Sequence, residues 1–278
     1  MVNHANVEGL VVAVTGGARG IGLAIATLLH ECGAKVAIGD IDETEAKAAG
    51  RRLGLALASP LDVTSEESFS TFLDGVEEAL GPIDALVNNA GVIAVGPAVD
   101  EPDAVTKRVL AVNAYGVILG TKLAVARMLP RGEGHVINIA SAGAKMVVPG
   151  IATYCATKHA VLGFTDAVRL ENRRSGIEFS VVMPSLTKTE MLDGIGTARG
   201  FKDLEPADVA RAVLGLIKKP KPHAIVPRSF GAVALASRRF LPRPAYEFAE
   251  RVLGAERVFQ DDVVPERRVD YVKRSGTS

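Results

Sequence analysis

Cysteine is nearly absent from this chain: Cys32 and Cys155 are the only two in 278 residues. They stand far apart, with no CxxC and no His/Cys cluster, so neither a disulfide framework nor a bound metal is expected. Net charge is absent as well. The 32 Lys and Arg balance the 32 Asp and Glu, which argues against nucleic-acid binding by bulk electrostatics. No apolar run approaches the roughly 18 residues a membrane span needs; FGAVALAS at 230–237 comes nearest and is far too short. The N-terminal MVNHANVEG lacks the basic start and apolar stretch of a signal peptide, so the expected location is cytoplasmic. No internal repeat or low-complexity tract is present. Tyrosine is scarce, with four in the chain, and one of them stands four positions before a lysine in YCATK (154–158).

What is present is a substantial core. The chain is 48% hydrophobic and 23% charged, a balance that suits a globular fold. Short apolar runs alternate with helical patterns. LVVAVTG (10–16), KVAIGD (35–40), ALASPLDVT (56–64) and IDALVNNAG (83–91) read as strands, or as strands running into turns. HVINIAS (135–141), IEFSVVMP (177–184) and HAIVP (223–227) continue the series. Helices are predicted over 20–32, 43–53, 65–81, 101–129, 153–173 and 205–217, the last with Pro206 in its first turn. Apolar strands separated by helices mean a parallel sheet covered on both faces, a doubly wound α/β fold. The expected organisation is one Rossmann-like domain over 1–278, with 228–278 as a C-terminal extension.

TGGARGIG (Thr15–Gly22) falls between the first strand and the first helix. A helix N-terminus there offers free N–H groups to a pyrophosphate, and glycines allow close backbone approach. The spacing is GxxxGxG, through Gly16, Gly20 and Gly22, rather than GxGxxG. A tight strand-to-helix turn would look the same. Asp40, at the tip of the second strand, is placed to accept ribose hydroxyls of NAD and to repel a 2′-phosphate; a solvated turn is the plainer alternative. Arg19 points the other way, toward NADP, and Asp40 is given the greater weight.

TGGARGIG, NNAG and YCATK, in that order, resemble the short-chain dehydrogenase/reductase family over about residues 9–227. The loop spacing and the YxxxK pair match the type with the shorter chain. The resemblance implies that Asn113 (LAVNAYG), Ser141 (INIAS), Tyr154 and Lys158 are the catalytic set. It implies cofactor contacts from the loop residues Gly16, Arg19, Gly20, Ile21 and Gly22, and from Asp40. Asp62 and Val63 (LDVT) would hold the adenine. Asn89, Ala90 and Gly91 would lie along the cofactor, with Asn88 steadying the sheet. Pro184 and Thr189 (PSLTKTEM), with Tyr154 and Lys158, would meet the nicotinamide end. This chain has Pro184-Ser185 where the family usually has Pro-Gly.

Residues four apart on a helix share a face, so Tyr154 and Lys158 are expected to point the same way. A free tyrosine, with a pKa of about 10, is a poor base near neutral pH. A neighbouring ammonium and a positive nicotinamide ring are expected to lower it. The implied chemistry is hydride transfer between a nicotinamide and a carbinol carbon. Tyr154 moves the hydroxyl proton, Ser141 fixes the oxygen, Lys158 bonds the ribose and Asn113 holds a water. Each of these residues also has a plainer reading: a half-buried phenol, a snorkelling lysine, a loop serine, an asparagine satisfying nearby backbone. His159 is a rival base that falls on another face of the helix.

The loops after the strands, VIAVGPAV, AGAKMVVPG and SLTKTEMLDGIG, are mostly apolar. They favour a hydrophobic secondary alcohol or ketone. The expected enzyme is NAD-dependent. The alternatives are an NADPH-dependent carbonyl reductase and a dinucleotide-sensing protein without turnover. A homo-oligomer, dimer or tetramer, is implied by the family, although the extension alters the end of the sheet where such subunits meet. Residues 220–278 carry eleven Lys or Arg against seven Asp or Glu. Phe248, Val252, Ala255 and Phe259 fall on one helical face, and a lid or subunit interface is preferred over a membrane contact. The charged tail from residue 261 is expected to be loose at its end.

Overall fold

The computed structural model describes residues 7–196, 203–229, 244, 258–260 and 262–277. Seven parallel strands form one sheet: β1 (Val11–Thr15), β2 (Lys35–Asp40), β3 (Leu57–Pro60), β4 (Ala85–Asn88), β5 (Gly134–Ile139), β6 (Ile177–Pro184) and β7 (His223–Val226). Their order is β3-β2-β1-β4-β5-β6-β7. The doubly wound α/β reading therefore holds. The order reverses between β1 and β4, whose ends carry the glycine loop and NNAG, and that crevice is where such sheets bind ligands.

The strands are continuous apolar runs because both faces are covered. Every residue of β1, β4 and β5 is buried. Helix α1 (Gly20–Glu31) buries Gly22, Ile25, Ala26 and Leu29, the i, i+3, i+4, i+7 stripe of an amphipathic helix. It joins α7 (Pro206–Lys218) over one face of the sheet. On the other face, α3 (Glu66–Leu80) buries Phe69, Phe72, Leu73 and Val76. Its N-cap is Ser65, whose hydroxyl accepts from the Ser68 N–H at 3.2 Å, and Gly81 ends it at φ 100°. Helices α2 (Glu43–Leu53) and α6 (Ala152–Glu171) complete the layers.

The helix expected over 101–129 is not uniform. It consists of α4 (Asp103–Leu110), a π-helical turn Ala111–Tyr115 and α5 (Gly116–Met128). Such turns widen a helix locally and recur at functional sites. This one carries Asn113. By length and composition alone, the run Asp103–Arg131 is apolar enough to cross a membrane, but half of its most apolar window is buried. In the fold α5 packs on β4 and β5.

The tail differs from expectation more. Instead of a loose end, Pro265–Ser275 is a helix, α8, with Arg268, Tyr271 and Ser275 buried. Pro265 stands in its first turn and Gly276 ends it at φ 67°, the usual asymmetry of helix start and stop. The predicted helical face through Phe248, Val252 and Ala255 lies outside the described residues, as does FGAVALAS. Phe259 is described and buried.

Candidate active site

A cleft of about 360 Å³ opens at the C-terminal ends of the strands. At one end the backbone shapes it. Gly16 adopts φ 62° and Gly20 φ 53°, values that strain any residue with a side chain. A Cβ on Gly16 would stand 2.9 Å from Ala90 Cα, and one on Gly22 would stand 2.0 Å from the Gly16 carbonyl. The loop is thus folded too tightly for other residues, and its helix opens at Gly20 into the cleft. NNAG is stitched to it. Thr15 Oγ1 accepts from the N–H groups of Asn89 at 3.0 Å and Ala90 at 3.1 Å. Asn89 Nδ2 donates to the carbonyls of Thr15 and Gly16, each at 3.0 Å. Asn88 is buried and donates to Asn138 Oδ1 at 2.9 Å, tying β4 to β5.

Asp40 lies at the tip of β2 and borders the cleft. Its carboxylate accepts from the N–H groups of Ala18 and Asp42, both at 3.2 Å. A carboxylate has about four acceptor sites, so capacity remains for ribose hydroxyls. Arg19 also borders the cleft, but it is paired: 2.8 Å from Asp42, 3.6 Å from Glu45 and 3.8 Å from Glu190. Its hydrogen bond, with the Glu45 N–H, holds the Asp42 carboxyl below the usual range. Asp62 accepts from the Thr64 N–H and hydroxyl at 2.9 and 2.7 Å, which fixes the turn that presents Asp62 and Val63. Thr189 meets the loop from across the cleft, since a Cβ on Gly20 would lie 3.2 Å from its methyl group. These residues fit a dinucleotide: a glycine cradle at a helix start, an acceptor for ribose and apolar walls for adenine.

At the other end stand Ser141, Tyr154 and Lys158. Ser141 caps a short 3-10 turn after β5; its Oγ accepts from the Gly143 N–H at 3.1 Å and is a hydrogen-bond partner of the Tyr154 hydroxyl. Lys158, one turn along α6, is 4% exposed, donates to the Ile139 carbonyl at 3.0 Å and lies 5.5 Å from the centre of the Tyr154 ring. Burial brings its pKa down to about 8. The expectation of a lowered tyrosine is not met by the chain's own groups. Burial pushes the Tyr154 phenol above its ordinary value, Cys155 and Tyr271 add to that, and the Ser141 hydrogen bond only partly offsets them. Desolvation of the phenolate is the largest of these effects.

All but two of the predicted site residues border this cleft. Gly22 lies beneath the loop it shapes. Asn113 is fully buried, and its side chain is engaged by protein: Oδ1 accepts from the Val92 N–H and Nδ2 donates to the Val92 carbonyl, each at 2.8 Å. A further bond runs to Thr157 at 3.3 Å. The side chain therefore ties the π-helical turn to the strand-end loop beside Gly91. His159 points elsewhere and bonds the Cys155 carbonyl at 2.9 Å.

Of the apolar loop residues, Val92, Ile93, Met146, Val148, Leu186, Met191 and Leu192 line the cleft. Val95 and Ile195 pack behind it, and Val147 is 47% exposed. Phe259, from the extension read as a lid or interface, also lines it, as do Ile151, Val258 and Tyr271, which sequence reasoning missed. Tyr271 is buried; its hydroxyl accepts from the Ile93 N–H at 2.8 Å and its ring lies 5.1 Å from the Arg268 guanidinium. Arg268 in turn donates to the carbonyls of Met191 and Asp193, both at 3.1 Å. A signal for α8 existed in the sequence: Arg268, Tyr271, Val272 and Ser275 hold the spacing of one helical face.

Comparison with known proteins agrees with this geometry. The short chain dehydrogenase family model matches residues 10–200. Zerumbone synthase of Zingiber zerumbet is 37% identical over 75% of this chain and 88% of its own. A 3-alpha-(or 20-beta)-hydroxysteroid dehydrogenase of Mycobacterium tuberculosis is 36% identical over 76% of this chain and 78% of its own. A short-chain dehydrogenase/reductase from Burkholderia phymatum, solved in complex with NAD, shares the fold at a TM-score of 0.77 and 23% identity, covering 86% of this chain and 95% of that one. A loop only glycine can close, facing a serine, tyrosine and lysine across one cleft, sits in a chain whose sequence matches the family over most of its length: the protein belongs to the short-chain dehydrogenase/reductase family of oxidoreductases.

Proposed function

We propose that this protein is an NAD-dependent dehydrogenase that interconverts a hydrophobic secondary alcohol and its ketone. The observation that carries the reading is the convergence of Ser141, Tyr154 and Lys158 at the apolar end of a cleft whose other end holds Asp40. Gly16, Gly20, Asp62, Ala90 and Thr189 would hold the dinucleotide, with Lys158 at the nicotinamide ribose. The dinucleotide supplies the hydride acceptor or donor and, when oxidised, a positive charge near the phenol.

Tyr154 moves the proton. Burial keeps it as the neutral phenol, the acid that ketone reduction needs; alcohol oxidation needs the phenolate, so oxidation gains as pH rises. Ser141 fixes the reacting oxygen beside that hydroxyl. The surrounding wall of Ile93, Val148, Ile151, Met191 and Phe259 excludes water and suits a hydrocarbon body. Relatives named for a hydroxysteroid and for 2-(S)-hydroxypropyl-CoM support a hydroxyl as the reacting group. NAD is favoured over NADP because Asp40 faces the cleft and Arg19 is already held by Asp42.

The test is NAD⁺ reduction against a panel of hydrophobic secondary alcohols, with NADP⁺ in parallel and Tyr154→Phe as control. Turnover with NAD⁺ that the variant loses is the expected result. Turnover with NADP⁺ alone would overturn the role given to Asp40. NADH binding with no hydride exchange on any alcohol or ketone would favour the sensing alternative.

A further inference from the structure

Helix α8 does more than roof the apolar end of the cleft. Tyr271 and Arg268 anchor it there, on Ile93 and on the Met191 and Asp193 carbonyls. One turn later it reaches the dinucleotide end. Arg274 Nη2 lies 2.6 Å from Glu190 Oε2, and that same oxygen is 3.8 Å from Nε of Arg19 in the glycine loop. The Ser275 carbonyl accepts from Arg108 Nε of α4 at 3.4 Å. Arg19, Glu190, Arg274, Ser275 and Arg108 all border the cleft. The helix therefore crosses the cleft mouth and touches both walls.

We propose that α8 is a strap across the bound dinucleotide and that Arg274 is a cofactor-binding residue, its guanidinium serving the diphosphate. The inference rests on the dinucleotide reading of the site. Glu190 follows Thr189, which stands against Gly20 where the first helix opens; a diphosphate held at that helix start comes next to the Arg274–Glu190 pair. A guanidinium has five donors in a planar fork matched to phosphate oxygens. Nη2 faces Glu190, and the side chain keeps a third of its surface exposed at the border of the cleft. Two arginines on one carboxylate oxygen also prevent Glu190 from repelling the anion.

The experiment uses the full chain with Arg274→Ala and Arg274→Lys. Affinities for NADH, ADP and adenosine are measured by titration, and NADH release by stopped-flow chase. The expected result for Arg274→Ala is a fall of about 10- to 100-fold in affinity for NADH and ADP, the range of one charge-assisted hydrogen bond. NADH release should be faster, adenosine binding unchanged, and Arg274→Lys should recover part of the loss. NADH and ADP affinities within twofold of wild type would overturn the proposal. So would equal losses for ADP and adenosine, which would make Arg274 a packing residue. A wild-type protein that binds no NADH at all would sink the dinucleotide reading itself, and this inference with it.

Discussion

At the dinucleotide end of the cleft, backbone and short-range hydrogen bonds set the shape: two left-handed glycines, Thr15 stitching NNAG to β1, and Asp40 held by two N–H groups. At the other end, side chains from separate segments meet. Ile93 follows β4, Ile151 opens α6, Met191 follows β6, and Phe259 and Tyr271 come from the far C-terminal part of the chain. The first half is drawn largely from the glycine loop, β2 and NNAG, each a short contiguous stretch. The second is an apolar pocket assembled from several distant segments, two of which, the 189–192 turn and α8, also reach the other end.

The strongest test of that separation is Tyr154→Phe. It should lower kcat/KM by roughly 10²- to 10⁴-fold, the usual worth of a general acid/base, while NADH binding stays within about threefold of wild type. A comparable loss of NADH affinity would show that the halves are not separable. Next in size is the burial of Lys158, the residue both halves share. Its folded pKa of about 8 lies below the ordinary lysine value, so the folded state resists its charge. Below pH 8 the penalty is complete, on the order of 3 kcal/mol. Between about 8 and 10.4 the unfolded chain binds more protons, and stability rises with pH. Lys158→Met should therefore be more stable than wild type at pH 7, less the lost bond to Ile139, and that advantage should shrink by pH 10. Denaturant unfolding at both pH values reads this directly; an advantage independent of pH would refute the linkage.

Asp40→Ser should act on the dinucleotide half alone. Losing a charged acceptor for ribose should lower kcat/KM with NAD⁺ by about 10- to 100-fold and raise it with NADP⁺, at unchanged KM for the alcohol. Steady-state kinetics with both cofactors decides it. The smallest expected effect belongs to the assembled half. Tyr271→Phe leaves the Ile93 N–H without its acceptor, a cost of roughly 1 kcal/mol, and should loosen the substrate wall. A modest drop in unfolding free energy with a severalfold rise in KM for the alcohol is expected; a KM unchanged by the variant would mean that the wall does not depend on α8.

The same contrast explains what could be read from the chain. The glycine loop, Asp40, NNAG and the YxxxK pair each lie within a few residues of sequence, at the ends of elements whose periodicity is plain. Their placement followed from strand-helix alternation. The π-helical turn at Asn113 left no such trace in the spacing, and the bonds its amide makes run to the Val92 backbone outside the helix. Helix α8 had a start, a stop and an inward face, but Arg267, Arg268, Lys273 and Arg274 made it read as a charged tail. Its stem of buried arginine satisfies carbonyls in a loop more than seventy residues away.

By itself the sequence determined the parallel sheet, the position of its switch point and the residues that could seat a dinucleotide and carry a proton. These follow from local spacing: an apolar run is a buried strand wherever it packs, and a glycine allows a tight turn in any fold. Only the tertiary structure decided the direction in which the Tyr154 phenol shifts, the engagement of Arg19 and the placement of α8 against the cleft. Each depends on which distant groups share one volume. Desolvation, ion pairing and enclosure are properties of that volume and are not carried by any segment alone.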